Sequence, residues 1–264
     1  MRSTIAAAAI LLGLGGTASA APCGNDAGGF ERWKALFAQE AAAAGVGRRG
    51  LDALARASYS TGTIRADRNQ KGVRYALDDF IRIRLGSLDG FASQARQRVR
   101  QNQALFDGIE RRYGVPAGIL AAIWGMETGF GRNMGSVPVV SSIATVAYDC
   151  RRSSFFTPHA VAALAMVDRG MLAEGQIGAF HGELGHTQFL PGNALRYGAD
   201  GDGDGRVNFY AAADALASTA NYLRQKGWRP GEGYQEGSAN FRVLNEWNAA
   251  TVYQKAIALA AARI

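Results

Sequence analysis

The chain has 264 residues, 48% of them hydrophobic, and a formal net charge of +7. That length and apolar content support one large folded unit, or one with a helical appendage, and exclude a disordered or low-complexity chain. The positive charge suits an anionic polymer, whether cell wall, membrane lipid or nucleic acid, without choosing among them.

The first twenty residues read as an export signal and not as part of the fold. Arg2 supplies the positive start, Thr4 to Gly16 the apolar run, and Ala18, Ser19 and Ala20 the small-residue cleavage pattern. The run is too short for a spanning helix, which needs about 20 apolar residues, and no later segment qualifies. The mature chain is therefore expected to begin at Ala21, in the periplasm, without a transmembrane anchor. The two cysteines, Cys23 and Cys150, lack a CxxC spacing or a neighbouring histidine. In an oxidising compartment they are expected to form a disulfide, with two separate buried thiols as the alternative.

Apolar residues recur at three and four from Gly29 to Ala44, through Phe30, Trp33, Leu36, Phe37 and Ala41, which predicts an amphipathic helix. A second helix is predicted over Arg48 to Ala57, and Ser60 to Gln70 reads as a polar connection. Two more helices follow, over Tyr75 to Leu85 and Phe91 to Tyr113. Strand signals are few, the best lying near Val137 to Val140 and Arg206 to Phe209. The chain is predicted to be mainly α.

Tyr113 to Arg132, YGVPAGILAAIWGMETGFGR, is the stretch around which the rest is organised. Gly114 and Pro116 mark a helix start, and Ile119 to Met126 is too apolar for a surface helix. Glu127 sits at its end, where Gly129 and Gly131 stop the helix. A carboxylate losing water at such an edge has its pKa raised, the condition for donating a proton near neutrality. The alternative is a glutamate that turns out to solvent.

Beyond it, Ser141 to Ala147 reads as a helix, and Thr157 with Pro158 as the start of another over Ala160 to Met171. Gly178 to Gly192, GAFHGELGHTQFLPG, reads as a glycine-spaced polar loop that carries His181, Glu183, His186 and Gln188 toward a ligand. Its histidines match no usual zinc spacing. Asp200, Asp202, Asp204, Gly205 and Asn208 follow a calcium-loop pattern, but position twelve is Ala211, and Asp214 is the acid that could reach inward instead.

Taken in order, YGVP, GMETGFGR, IATVAYDCRRSSFF, GELGHTQFLP, DGDGDG with ALASTANYL, and EWN resemble the membrane-bound lytic transglycosylase B family, over most of the chain from about Phe30 onward. The resemblance implies a lysozyme-like catalytic core over residues 101–264, an N-terminal helical subdomain over 21–100 and minimal β structure. It implies cleavage of peptidoglycan glycan strands between N-acetylmuramic acid and N-acetylglucosamine with formation of 1,6-anhydro ends. By motif matching Glu127 is the catalytic acid, then base; Arg151, Arg152, Gln188, Tyr222 and Asn248 are the substrate-binding residues. The reaction needs one carboxylate and no cofactor, because the attacking C6 hydroxyl belongs to the sugar itself. A monomer with no nucleic-acid partner is expected.

Three departures qualify the match. Glu183 stands where the family has a small residue, which leaves open a muramidase-type hydrolysis using Glu127 and Glu183. Trp247 replaces a tyrosine beside Asn248, which should keep stacking on a sugar ring but lose the hydroxyl contact. The calcium loop lacks its twelfth-position acid, so only weak structural calcium at Asp200, Asp202, Asp204 and Asn208 is expected. A non-catalytic glycan-binding module is the alternative from outside enzymology.

Overall fold

In this computed structural model residues 21–69 and 75–264 are described, and the expected leader, 1–20, lies outside them. A short 3-10 turn leads into α1 (Phe30–Ala43), α2 (Arg48–Arg56), α3 (Thr61–Arg68), α4 (Leu77–Leu85), α5 (Leu88–Gln101), α6 (Gln103–Tyr113) and α7 (Ala117–Thr128). There follow β1 (Val137–Pro138), α8 (Val139–Tyr148), α9 (Ser153–Asp168), β2 (Ile177–Gly178), α10 (Pro191–Tyr197), α11 (Ala212–Gln225), α12 (Ala239–Trp247) and α13 (Thr251–Ala261). Among the described residues the only sheet is the antiparallel pair β1 and β2, with Val137 opposite Gly178. No described helix is long and apolar enough to cross a membrane.

The apolar sequence of α7 has a direct consequence: eight of its residues, from Ile119 to Thr128, are buried, so other helices must cover it all round. α5 and α13 flank it, with α6 and α11 also in contact. A second group forms around α8 and α9, which pack on each other and on α1, α2, α3 and α10. In that group Phe30, Trp33, Phe37 and Tyr148 build an aromatic wedge, with Trp33 and Phe37 stacked 4.6 Å apart.

Several elements differ from the sequence expectation, each for a local reason. The polar stretch 60–70 is mostly the helix α3, capped by the Ser60 hydroxyl, which accepts from the Thr63 N–H at 3.1 Å. The single helix expected over 91–113 breaks at Asn102, whose side-chain amide donates to the Arg98 carbonyl. α9 starts four residues before Thr157, so Thr157 is no cap; its hydroxyl donates back to Ser153 O, and Pro158 lies inside the helix. Residues 206–209 form no strand, because the Asn208 N–H donates to Asp214 Oδ2 at 2.7 Å. The expected loop 178–192 contains β2's last residue and a 3-10 turn, Gly185–Thr187.

Cys23 and Cys150 are bonded, with their Cα atoms 5.0 Å apart across a sequence separation of 127 residues. The Gly24 N–H donates to Tyr148 O and the Cys150 N–H to Gly24 O, so the N-terminal segment is stapled to the end of α8. Closing so long a loop is worth about 4 to 5 kcal/mol on the chain-entropy estimate. Replacing both cysteines by alanine is expected to lower the melting temperature by on the order of ten degrees. A drop of less than about two degrees in scanning calorimetry would contradict that contribution.

Candidate active site

The site is built at the C-terminal end of α7. Gly129, at φ 59° and ψ 44°, takes the left-handed conformation that ends the helix. Thr128 is buried there and fixes the turn twice over: its hydroxyl donates to His186 O at 2.7 Å and accepts from the Gly131 N–H at 2.9 Å. Trp124 Nε1 donates to His186 Nδ1, and burial lowers the pKa of that imidazole, so His186 serves as a neutral acceptor under the site.

Glu127, the last residue but one of α7, receives two hydrogen bonds on one oxygen. Tyr253 Oη donates to its Oε1 at 2.7 Å, and Trp247 Nε1 donates to the same atom at 3.0 Å. Burial raises the pKa of Glu127; the bonds from Tyr253 and Trp247 oppose that shift without reversing it. With Oε1 accepting twice, Oε2 is the oxygen that carries a transferable proton. Burial, and then the charge of Glu127, push Tyr253 well above its ordinary pKa, so it remains a hydroxyl donor.

Glu127 opens into a cleft of about 450 Å³ together with Arg84, Glu183, Gln188, Asn193, Trp247 and Asn248. A second recess on the other side of Glu127 and Gln188 is lined by Asn133, Ser136 and Phe180. Gln188 is held in the left-handed region at φ 56°, a strained backbone, and its Nε2 donates to Gly185 O at 2.7 Å. Its amide oxygen is thereby the group it offers the cleft. Asn248 Oδ1 accepts from the Ala250 N–H, which leaves its amide nitrogen for a ligand. Tyr222 lines the cleft wall, but its hydroxyl is tied to Glu246 O at 2.5 Å.

Trp247 lines the cleft wall beside Phe189 and Tyr222. Its ring is held edge-on by Phe189 and Tyr222, at 5.4 and 5.6 Å, and its N–H contacts Glu127 where a hydroxyl contact was expected to be lost. Arg151 and Arg152, expected in the cleft, are not among its lining residues. Arg151 Nε donates to Asp67 Oδ2 at 2.6 Å, Arg152 Nη2 pairs with Asp67 Oδ1, and Arg68 bonds both Asp67 and Asp149. Burial pushes the Asp67 carboxyl up, but Arg151 and Arg152 outweigh it and hold the group well below the usual carboxylate range.

Glu183 lines the same cleft as Glu127 with 23% of its side chain exposed. Burial pushes its pKa up, while hydrogen bonds from His181 more than offset that and leave it lowered. The cleft therefore holds one carboxyl whose pKa is raised and one whose pKa is lowered, a difference set by their surroundings.

The Asp200 loop lies apart from this cleft's lining. Carboxylate oxygens of Asp200, Asp202 and Asp214 come within 4.8 Å of one another, a donor set that fits a hard divalent cation. Asp214 is buried on α11, where it also accepts from the N–H groups of Gly201 and Asn208. Asp204 is outside that cluster, and its side chain accepts from the Arg206 N–H; the Asn208 side chain accepts from the Tyr210 N–H.

Arg84 and Tyr253 were missed by sequence reasoning. Arg84 is the next-to-last residue of α4, where a cation reads as a solvated helix end, and Tyr253 falls on the buried face of an otherwise apolar helix. A lone tyrosine hydroxyl on such a face, needing a buried partner, was the available signal.

Residues 29–237 match the family model described as Transglycosylase SLT domain. Membrane-bound lytic murein transglycosylase B of Escherichia coli (strain K12) is 35% identical over 122 residues, which is 46% of this chain but spans only 34% of that relative. The crystal structure of SltB3 from Pseudomonas aeruginosa in complex with NAG-anhNAM-pentapeptide is 28% identical, with a TM-score of 0.80 over 88% of this chain and 78% of that one. The lytic transglycosylase SLT35 of Escherichia coli, solved in complex with calcium, shares the fold at 20% identity, with a TM-score of 0.76 over 92% of this chain and 95% of that one.

Glu127 binds its proton more tightly in the fold than in the unfolded chain. Its protonated form therefore favours folding at low pH, and that contribution is lost as pH rises through the raised value. Glu127→Gln keeps an oxygen for both donors and removes the charge. The variant is expected to melt higher than the wild type at pH 8, with the advantage shrinking toward pH 4; equal melting curves across that range would show that the carboxylate is not destabilised by burial.

Proposed function

The chain belongs to the transglycosylase SLT-domain family, and from that premise we propose that it is a peptidoglycan lytic transglycosylase with Glu127 as its single acid and base. The observation that carries this reading is a half-buried carboxyl of raised pKa, gripped at Oε1 by Tyr253 and Trp247 in the lining of a cleft. The relative solved with NAG-anhNAM-pentapeptide supports the substrate class. The disulfide supports an oxidising compartment, and we infer a periplasmic location.

In the proposed reaction Glu127 Oε2 gives its proton to the glycosidic oxygen, and the C1–O bond breaks with the electron pair leaving on that oxygen. Positive charge is shared between C1 and the ring oxygen. The C6 hydroxyl oxygen of the same sugar then attacks C1 and closes the 1,6-anhydro bridge, while its proton passes to Glu127 Oε2. The acid is restored, and no water or cofactor is consumed. Gln188 and Asn248 orient the sugar amides, and Arg84 offers a cation to an anionic lactyl or peptide carboxylate.

Mass spectrometry of digested peptidoglycan tests this. Anhydro ends from the wild type and at least about a hundredfold slower release by Glu127→Gln are expected. Reducing ends would point to water as the nucleophile, with Glu183 as the second carboxylate; no products would leave a glycan-binding role.

We also read the Asp200 loop as a structural calcium site of weak affinity, roughly 10⁻⁴ to 10⁻³ M, with Asp214 standing in for the acid that Ala211 lacks. Ala211 is the N-cap residue of α11 and has no capping side chain. Ala211→Asp is therefore expected to raise the melting temperature even in chelator, by capping worth about 1 kcal/mol, and to widen the further rise seen in millimolar calcium. An unchanged calcium increment would put position 211 outside the coordination shell.

A further inference from the structure

Behind the cleft, a line of side chains runs inward from Glu183. His181 binds the Glu183 carboxylate from two directions: its backbone N–H donates to Oε2 at 2.9 Å, and its Nδ1 lies 3.3 Å from Oε1. The opposite edge of the ring, Nε2, faces Asp67 Oδ1 at 3.5 Å. Asp67 is in turn held by Arg68, Arg151 and Arg152. Side-chain exposure is 3% at Asp67, 9% at His181 and 23% at Glu183, so only the last of the three reaches the cleft to any extent.

The ring of His181 cannot turn freely. Phe156 stacks on it with an interplanar angle of 8° and a centroid distance of 6.0 Å, and the Arg152 guanidinium covers the Phe156 ring at 4.8 Å. The turn that carries both residues is equally fixed. The Gly182 N–H closes it onto Ala179 O; φ there is +80°, and a side chain would strike Ile143 at 2.7 Å.

A buried histidine with both ring nitrogens aimed at carboxylates, backed by three arginines, is a costly arrangement for a surface loop. Its one outlet is the Glu183 carboxylate, in the cleft that Glu127 serves. We propose that Glu183 is a second catalytic carboxylate, positioned by the Asp67–His181 pair, and that it faces the positive charge that develops on the sugar ring when Glu127 protonates the leaving oxygen. The inference rests on the proposed cleavage reaction. Glu183 transfers no proton and forms no bond; it stays ionised while C1–O breaks and the C6 oxygen attacks, so the balance of the reaction is unchanged. Arg151 and Arg152 support the charge of Asp67 at the back of the line.

The charged and titratable groups sharing the cleft with Glu183 are Glu127 on α7, Arg84 on α4, Tyr222 on α11 and Glu246 on α12, the last paired with Lys226; His181 faces it from its own loop. Of these, His181 is the contact whose loss should make Glu183 easier to protonate, moving the acidic limb of the activity profile to higher pH.

Three variants test the assignment on purified glycan strands. Glu183→Gln is expected to lower kcat on the order of a hundredfold with KM little changed. His181→Gln keeps a donor near the Nε2 position and loses the one near Nδ1; it should lower kcat and move the acidic limb upward. His181→Asn keeps the donor to Glu183 and should retain that limb near its wild-type position. A Glu183→Gln enzyme within about twofold of wild-type kcat overturns the proposal, as does a folded His181→Gln enzyme whose acidic limb stays in place. If the wild type releases anhydro ends and Glu183→Gln releases them equally fast, only this inference fails; a wild type that releases nothing removes the parent reaction as well.

Discussion

The structure depends on one unfavourable placement, a carboxyl carried at the end of a helix that is otherwise apolar on every side. α7 has to be buried, because almost nothing on it faces water well, and Glu127 goes in with it. Left alone, such a group would either drag water inward or unwind the last turn. Tyr253 and Trp247 resolve this by giving the carboxyl two donors without a formal positive charge. Neutral donors satisfy the oxygen and lower the pKa of the carboxyl by less than burial raises it. The rest of the α7 shell follows from that choice, since α12 and α13 have to be where they can deliver those two groups.

The second polar centre is solved in the opposite way. Around Asp67 the charges are numerous: three arginines and two aspartates, with the His181 ring beside them, tie α3, the end of α8 and the loop after β2 together. Ion pairs of this kind stabilise little relative to an apolar core of the same volume, but removing one partner is expensive. They fix geometry more than they add stability. The two centres meet in the cleft, where the neutral arrangement leaves the pKa of Glu127 raised and the charged one leaves that of Glu183 lowered.

Legibility in the sequence followed the same division. The acid Glu127 was readable because its helix pattern demanded an apolar residue, and the mainly helical fold because the periodicities were long and clean. Gln188, Glu183 and Asn248 were readable as cleft residues from the motifs around them. Asp67 was not, since STGTIRADRNQ reads as a solvated connection when the arginines that bury it lie more than eighty positions away. For the same reason the pairing of Arg151 and Arg152 with an internal anion was not legible. Tyr253 was hidden by its setting, because a tyrosine at a core position on an alanine-rich helix looks like any other apolar filler until the partner of its hydroxyl is known.

The two donors to Glu127 come from 120 and 126 residues further along the chain. A ribosome makes the acid long before it makes either of them. Without α13 in place, Glu127 lacks the Tyr253 hydroxyl that donates to its Oε1. The full donor set around Glu127 thus exists only when both C-terminal helices are in place. The setting of this glutamate is therefore a property of the whole chain and not of the helix that carries it.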